Sequence, residues 1–145
     1  MLDVPTLAYV AGVLDMQCNI KTRTTPDDTE LPMLAMYGPN VAMLEYLASL
    51  TDTKMVVARR SYVKAGCAQH CREKHQHIES VSGRWTLTGA KATIVLYNIR
   101  PYVRLQVEAV TSALVVGLAA PFKLAKLKRM ADLGWEIPDM EGGAR

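Results

Sequence analysis

The sequence has few cysteines, little excess charge and no long hydrophobic run, and each shortage excludes a class of protein. Its three cysteines are an odd number, which fits a reducing compartment better than a disulfide framework. A formal net charge of +3 permits nucleic-acid binding without demanding it. The longest apolar run, residues 113–122, is interrupted by Gly117 and Pro121 and is shorter than the roughly 20 residues of a membrane span. Residues 1–15 lack the basic start of a signal peptide, so we expect a cytoplasmic protein, or a nuclear or organellar one if its source is eukaryotic, without a membrane partner.

The overall composition is that of a folded protein. Half of the 145 residues are hydrophobic, which excludes disorder and suits one domain with a substantial core. Apolar periodicity predicts a helix starting near Pro5, two strands, a helix whose N-cap is Asn40, two more strands and two helices. This order predicts an α+β fold with an antiparallel sheet. We expect a domain over 1–120 with a polar insertion at about 64–82, then, over 121–145, a short basic helix and a tail that is loose apart from Trp135.

Residues 8–20, AYVAGVLDMQCNI, begin as a helix and end as a strand. Ala8 and Gly12 lie four residues apart and form a face of small side chains, which lets another backbone come close. The segment resembles the signature of the LAGLIDADG homing endonucleases, which runs leucine, alanine, glycine, two apolar residues, aspartate, any residue, aspartate, glycine. Residues 11–15 match this pattern, but Gln17 replaces the second aspartate and Cys18 the final glycine.

A second segment supports the same resemblance. Residues 84–105 are similar to the later half of that family, in which a strand leads to a helix and then to a proline-aromatic turn. The resemblance covers roughly residues 6–119, with a divergent middle. It implies one signature per chain, and hence a homodimer in which the first helices pack together through Ala8, Ala11 and Gly12. It also implies that the partner is double-stranded DNA.

The positions that carry chemistry in this family are altered here. The resemblance places a metal-binding acid at Gln17 and a basic residue at Gln106, five residues after Pro101. A neutral amide contributes no negative charge to a Mg²⁺ site, so we expect no catalytic residues and Mg²⁺ only if the protein is active. We expect Asp15 to have a structural role, and it is the residue that would bind the metal ion if the protein is active. An active endonuclease with an unusual metal site stays open as the alternative.

The insertion contains a cluster of cysteine and histidine residues, CAQHCREKHQH. All three histidines of the chain lie here, together with two of its three cysteines. Cys67, Cys71, His75 and His77 could hold a structural Zn²⁺, and His70 could replace one of them. The spacing is not that of a standard zinc finger. The alternative is an exposed, histidine-rich hairpin that binds no metal.

Basic residues follow the predicted strands. Such residues neutralise phosphates, and arginine can read guanine in the major groove, although a solvated sheet face would also carry them. The candidates are Lys21, Arg23, Lys54, Arg59, Arg60, Lys64, Arg72, Lys74 and Arg84. The basic helix near residues 122–134 could add phosphate contacts or simply pack on the core.

These features together predict a sequence-specific protein that binds double-stranded DNA and does not cleave it. Stand-alone members of the family that the sequence resembles are usually found in phages and mobile elements. The resemblance therefore implies a regulator encoded by such an element. The alternatives are an active homing endonuclease and a maturase that binds intron RNA.

Overall fold

The computed structural model describes residues 1–63 and 77–139, and the side chains of 1–60 and 80–139. The helices are α1 (Val4–Gln17), α2 (Val41–Leu50), α3 (Gly89–Ile99), α4 (Val107–Ala119) and α5 (Leu124–Asp132). The strands are β1 (Asn19–Thr24), β2 (Glu30–Gly38), β3 (Val56–Val63) and β4 (His77–Thr88). They form one sheet in the order β1-β2-β4-β3, and all neighbouring pairs are antiparallel. The predicted α+β class is confirmed.

Local sequence signals start the first two helices. The Asp3 carboxylate accepts a hydrogen bond from the Thr6 backbone N–H at 2.9 Å and so caps α1. The Asn40 side-chain oxygen accepts one from the Met43 N–H at 3.1 Å and caps α2, as predicted. Both side chains satisfy backbone donors that have no partner inside the helix.

Two elements differ in extent from the prediction. The apolar periodicity predicts that the fourth helix begins at Arg104, but α4 begins at Val107, and the backbone N–H groups of residues 104–106 just before it donate to Asp15. Strand β4 begins at His77, opposite Val63, so residues 77–82 of the expected insertion belong to the sheet.

The core lies between one face of the sheet and the helices. Leu34 and Met36 of β2 and Trp85 of β4 are fully buried there. The Trp85 indole N–H donates to the Thr51 hydroxyl oxygen at 3.2 Å, which satisfies the one polar atom of this side chain.

The C-terminal segment belongs to the same core. Leu127 and Met130 of α5 are buried, which supports the packing alternative for the apolar side of this helix. Trp135 is also buried, and its indole N–H donates to the Leu50 carbonyl oxygen at 2.7 Å. The expected loose tail is therefore packed at least as far as Pro138, which is buried. In the described part of the chain, none of the helices has the length and apolar character needed to cross a membrane.

Candidate nucleic-acid interface

The register of the strands assigns each side chain to one of two faces. Residues directly opposite each other on paired strands point to the same side of the sheet. Leu34 lies opposite Leu87, and Met36 lies opposite Trp85. All four side chains are buried, so they define the inner face. The alternate residues of every strand form the outer face, away from the core.

The outer face is basic. It presents four exposed cationic side chains at its described positions and no acidic one. They are Lys21 and Arg23 of β1, Arg60 of β3 and Arg84 of β4. Because like charges repel each other, such a face without acidic partners suits a polyanionic ligand.

The other predicted cations lie elsewhere. Arg59 is exposed but opposite Val81, on the inner side of the sheet. Lys54 is exposed in the segment between α2 and β3. Lys64, Arg72 and Lys74 fall outside the described residues. The structure therefore brings four of the nine candidates together on one surface.

The outer face also carries two large side chains that we did not predict as part of the site. Tyr37 of β2 and Val56 of β3 are 63% and 55% exposed. Both lie directly opposite Arg84, one on each side. Residues 31–37 are apolar throughout and predict a strand buried on both faces, so only the register shows that Tyr37 points outward.

The end of α1 is joined to the start of α4 through Asp15. Its carboxylate oxygens accept hydrogen bonds from the backbone N–H groups of Arg104 at 2.7 Å, Leu105 at 2.8 Å and Gln106 at 2.7 Å. The residue is only 8% exposed. The predicted structural role of Asp15 is thus supported by three contacts that span about 90 residues of sequence.

These contacts decide the ionisation of Asp15. Burial disfavours the charged form and by itself would raise the pKa. The backbone N–H donors of Leu105, Arg104 and Gln106, with a smaller contribution from the charge of Arg104, outweigh burial. The pKa of Asp15 therefore lies below its ordinary value, and the residue is ionised at neutral pH.

The two glutamines at the expected catalytic positions have different surroundings. Gln17 is the last residue of α1, and its side chain is exposed. The Gln106 side-chain NH₂ donates to the carbonyl oxygens of Leu14 at 3.2 Å and of Asp15 and Cys18 at 3.0 Å. Gln106 is therefore a cap for the carbonyl groups at the C-terminal end of α1.

The donors at this helix end do not fit a Mg²⁺ ion. Mg²⁺ prefers free carboxylate oxygens. Both oxygens of Asp15 already accept backbone N–H groups, and Gln17 offers only a neutral amide. Among the side chains that the structure describes, those of residues 1–60 and 80–139, no three of His, Cys, Asp or Glu are placed to share a metal ion.

Helix α1 has a narrow exposed face of apolar and small residues. Val4, Ala8, Gly12 and Met16 are exposed and follow each other at intervals of four, so they lie on one side of the helix. We call this set the α1 stripe. Ala11 was expected with it but is fully buried in the core of its own chain, and so is not available to a partner helix.

The predicted zinc ligands cannot be placed. Cys67, Cys71 and His75, and the substitute His70, lie outside the described residues. The backbone of His77 begins β4, but its side chain is not among those described. The zinc site stays a prediction from the sequence.

No family model and no curated protein matches this chain. Among the solved structures that match is homing endonuclease I-CvuI in complex with its target in the presence of calcium, with a TM-score of 0.53 and 15% identity over 89% of this chain and 77% of that one. The same enzyme on the I-CreI target, with magnesium and the DNA not cleaved, has a TM-score of 0.47 and 12% identity over 77% of this chain. The present chain covers 64% of that structure's chain, less than two thirds of its length.

A third match is the archaeal intron-encoded homing endonuclease I-Vdi141I complexed with DNA. Its TM-score is 0.43 at 14% identity, over 88% of this chain and 79% of that one. At 15% identity, the match with a TM-score of 0.53 concerns the fold and leaves the function to be argued from the residues of this chain.

Proposed function

We propose that this chain, which has the fold of the LAGLIDADG homing endonucleases, is a homodimer that binds duplex DNA sequence-specifically without cleaving it. The observation that carries the proposal is the outer face of the sheet, with four exposed cations and no acidic side chain at its described positions. A protein that occupies DNA without cutting it acts by occupancy, so we assign it a regulatory role, in a phage or mobile element.

The shape and charge of the outer face suit the major groove. The major groove is about 12 Å wide, and strands about 4.8 Å apart can cross it side by side, so that neighbouring strands follow one another along the groove. Lysine and arginine on such a sheet can neutralise phosphates at its margins, while side chains near its middle reach the edges of the bases. The exposed cations occur on β1, β3 and β4, so phosphate contacts are available across the width of the sheet.

The proposed dimer rests on a glycine that the isolated chain does not need. Gly12 lies inside α1, where glycine costs roughly 0.5–1 kcal/mol relative to alanine. A Cβ atom added at this position would meet nothing within 4 Å in its own chain. If a second copy of α1 packs closely along the α1 stripe, only a residue without a side chain fits at position 12, which explains the glycine.

Two neighbouring arginines test whether the outer face binds DNA. Arg60 lies on the outer face and Arg59 on the inner side of the same strand. We expect Arg60→Ala to weaken DNA binding on the order of 10-fold and to reduce the salt dependence by about one counterion per protomer. Arg59→Ala removes the same charge from the other side and should have a much smaller effect. Fluorescence anisotropy on a duplex selected from random sequence, at several salt concentrations, measures both.

An equal loss of affinity for both arginine variants would contradict the outer face as the binding surface. Competition with duplex RNA is the second readout. Stronger binding to RNA than to DNA would replace the proposed DNA regulator with an RNA-binding protein.

The neutral side chain of Gln17 leads to a prediction about metal ions. The wild-type protein should bind its DNA equally well in EDTA and in Mg²⁺, and should not cut it, because the helix end offers no free carboxylate. Gln17→Asp should make the affinity dependent on Mg²⁺ while yielding little or no cleavage. Gln17→Asp with Gln106→Lys should give detectable nicking. A lysine at 106 starts beside the end of α1, so its ammonium group can lie near the new carboxylate at 17 and stabilise negative charge on a phosphate.

The controls for cleavage are Gln17→Ala and the double variant in EDTA, neither of which should nick DNA. Site-specific cleavage by the unaltered protein in Mg²⁺, abolished by Asp15→Asn, would overturn the proposal. It would make Asp15 the metal ligand and the protein an active endonuclease.

A further inference from the structure

We propose that Arg84, Tyr37 and Val56 form a row that reads three adjacent base pairs, selecting a G·C pair flanked by A·T pairs through the methyl groups of thymine. The inference rests on the proposed binding of duplex DNA to the outer face. It adds the chemistry by which this particular chain selects its sequence.

The three side chains lie in one line across the sheet. Arg84 of β4 is directly opposite Tyr37 of β2 and directly opposite Val56 of β3. The row therefore spans two strand spacings, about 10 Å, and three consecutive base pairs span two steps of about 3.4 Å, roughly 7 Å, so each outer side chain must reach inward by about 1.5 Å. One cation in the centre and one apolar group at each side thus match three consecutive base pairs.

The two apolar side chains of the row are more exposed to solvent than the other large apolar side chains of the strands. Among the described strand residues, Tyr37 and Val56 are the most exposed large apolar side chains, at 63% and 55%. Along β4, the outer-face neighbours of Arg84 are Ser82 and Thr86, which are small and uncharged. A long cation can therefore extend from the row without a bulky or charged neighbour on its own strand.

Each member of the row has a chemical counterpart in the major groove. An arginine guanidinium donates two parallel hydrogen bonds to the O6 and N7 atoms of guanine. The 5-methyl group of thymine is the apolar feature that an A·T pair presents in this groove, and valine or an aromatic ring can cover it. A row of apolar, cationic and apolar groups thus selects an A·T, G·C, A·T pattern.

The chain supplies a matched control for the valine. Val57 is the next residue of β3, is 42% exposed and lies opposite Gly83 on the inner side of the sheet. Val56→Ala and Val57→Ala remove the same two methyl groups from opposite faces of one strand. They therefore lose nearly the same amount of strand propensity, while only Val56→Ala should alter base selection.

The experiment uses the full-length protein and single-atom changes in DNA. A duplex is first selected from random sequence, and each thymine in it is then replaced by uracil, which lacks only the methyl group. For the wild type, uracil beside the central guanine should weaken binding about 4-fold, the equivalent of about 0.8 kcal/mol for one buried carbon. Val56→Ala should bind thymine and uracil duplexes equally at one of these positions, and Val57→Ala should discriminate like the wild type.

The arginine has its own readout. Replacing the central guanine with 7-deazaguanine removes the N7 acceptor and should weaken wild-type binding about 10-fold. Arg84→Ala should bind the two duplexes equally.

Specific binding with no effect of uracil or 7-deazaguanine at any position would overturn the row and leave the proposed function standing. Absence of binding to any duplex would overturn both proposals. Discrimination between thymine and uracil that survives both Val56→Ala and Tyr37→Ala would assign methyl recognition to other residues and reject the row.

Discussion

Asp15→Ala should lower the free energy of unfolding by about 3 kcal/mol. The substitution leaves three backbone N–H groups, those of Arg104, Leu105 and Gln106, without the carboxylate that now accepts their hydrogen bonds. Unpaired buried donors cost about 1–3 kcal/mol each, and water entering the site recovers part of that loss. Because small domains are stable by only about 5–15 kcal/mol, the change should be visible as a large shift in the urea midpoint.

The pH dependence of this loss identifies its cause. The pKa of Asp15 is lower in the folded chain than in the unfolded one. Its contribution is therefore fully present above the unfolded pKa, near 4, and is lost as the pH falls through the folded pKa. The difference in unfolding free energy between the wild type and Asp15→Ala should be constant around pH 7 and should shrink progressively below about pH 4.

Glu108→Ala is the matched control for Asp15. Glu108 is an exposed acidic residue in the first turn of the same helix, α4, and its removal should change stability little. Urea denaturation of all three proteins, at one fixed protein concentration because a dimer is expected, measures the effect. A loss for Asp15→Ala that is the same at pH 3 as at pH 7 would show that its charge does not hold the two helices together.

Gly12→Leu should abolish dimer formation at micromolar concentration while leaving the fold intact. In the isolated chain Gly12 is exposed and a Cβ at this position has no neighbour within 4 Å, so a leucine side chain can point into solvent. Leucine also favours helix over glycine by roughly 0.8 kcal/mol. In a symmetric dimer, by contrast, both copies of the leucine would enter the same close contact between the two α1 helices. We expect the dimer dissociation constant to rise on the order of 100-fold, about 3 kcal/mol.

The same substitution should change how the protein binds DNA. A two-fold dimer requires a target with two related half-sites, and both must be occupied for full affinity. Gly12→Leu should bind a full site hardly better than a half-site, whereas the wild type should strongly prefer the full site. Sedimentation velocity and DNA titrations report the two effects separately.

Ala125→Leu controls for the added leucine. Ala125 is exposed on α5, away from the α1 stripe, and leucine there should leave the dimer unchanged. A wild-type protein that is monomeric at micromolar concentration would refute the proposed dimer. So would a Gly12→Leu variant that dimerises as tightly as the wild type.

Features that depend on near neighbours in the chain could be predicted from the sequence. The cap at Asn40 involves a residue only three positions later, so an asparagine just before an apolar helical pattern was enough to predict it. The α+β class and the resemblance of residues 11–15 to the LAGLIDADG signature likewise come from local spacing, and the fold of the known homing endonucleases confirms the expectation. The neutral side chains at Gln17 and Gln106 are also properties of the sequence alone.

The sites themselves required the tertiary structure, because each joins residues that are distant in sequence. Arg59 and Arg60 are the same residue type at adjacent positions, so the sequence alone does not say which of them faces away from the core. The pairing of β3 with β4 places them on opposite sides of the sheet. Tyr37 and Arg84 become neighbours through the register of β2 and β4, since a shift of one residue would turn every side chain to the other face.

The junction between α1 and α4 follows the same reasoning. Asp15 and Gln106 are 91 positions apart, and the sequence contains no local sign that the carboxylate of one binds the backbone of the other. The apolar periodicity predicts a helix start at Arg104, but α4 begins at Val107, after a segment whose backbone N–H groups donate to Asp15. The spacing of apolar and polar residues along the sequence therefore determined the helices and strands. Long-range hydrogen bonds and the register of the strands decided which side chains meet at a surface.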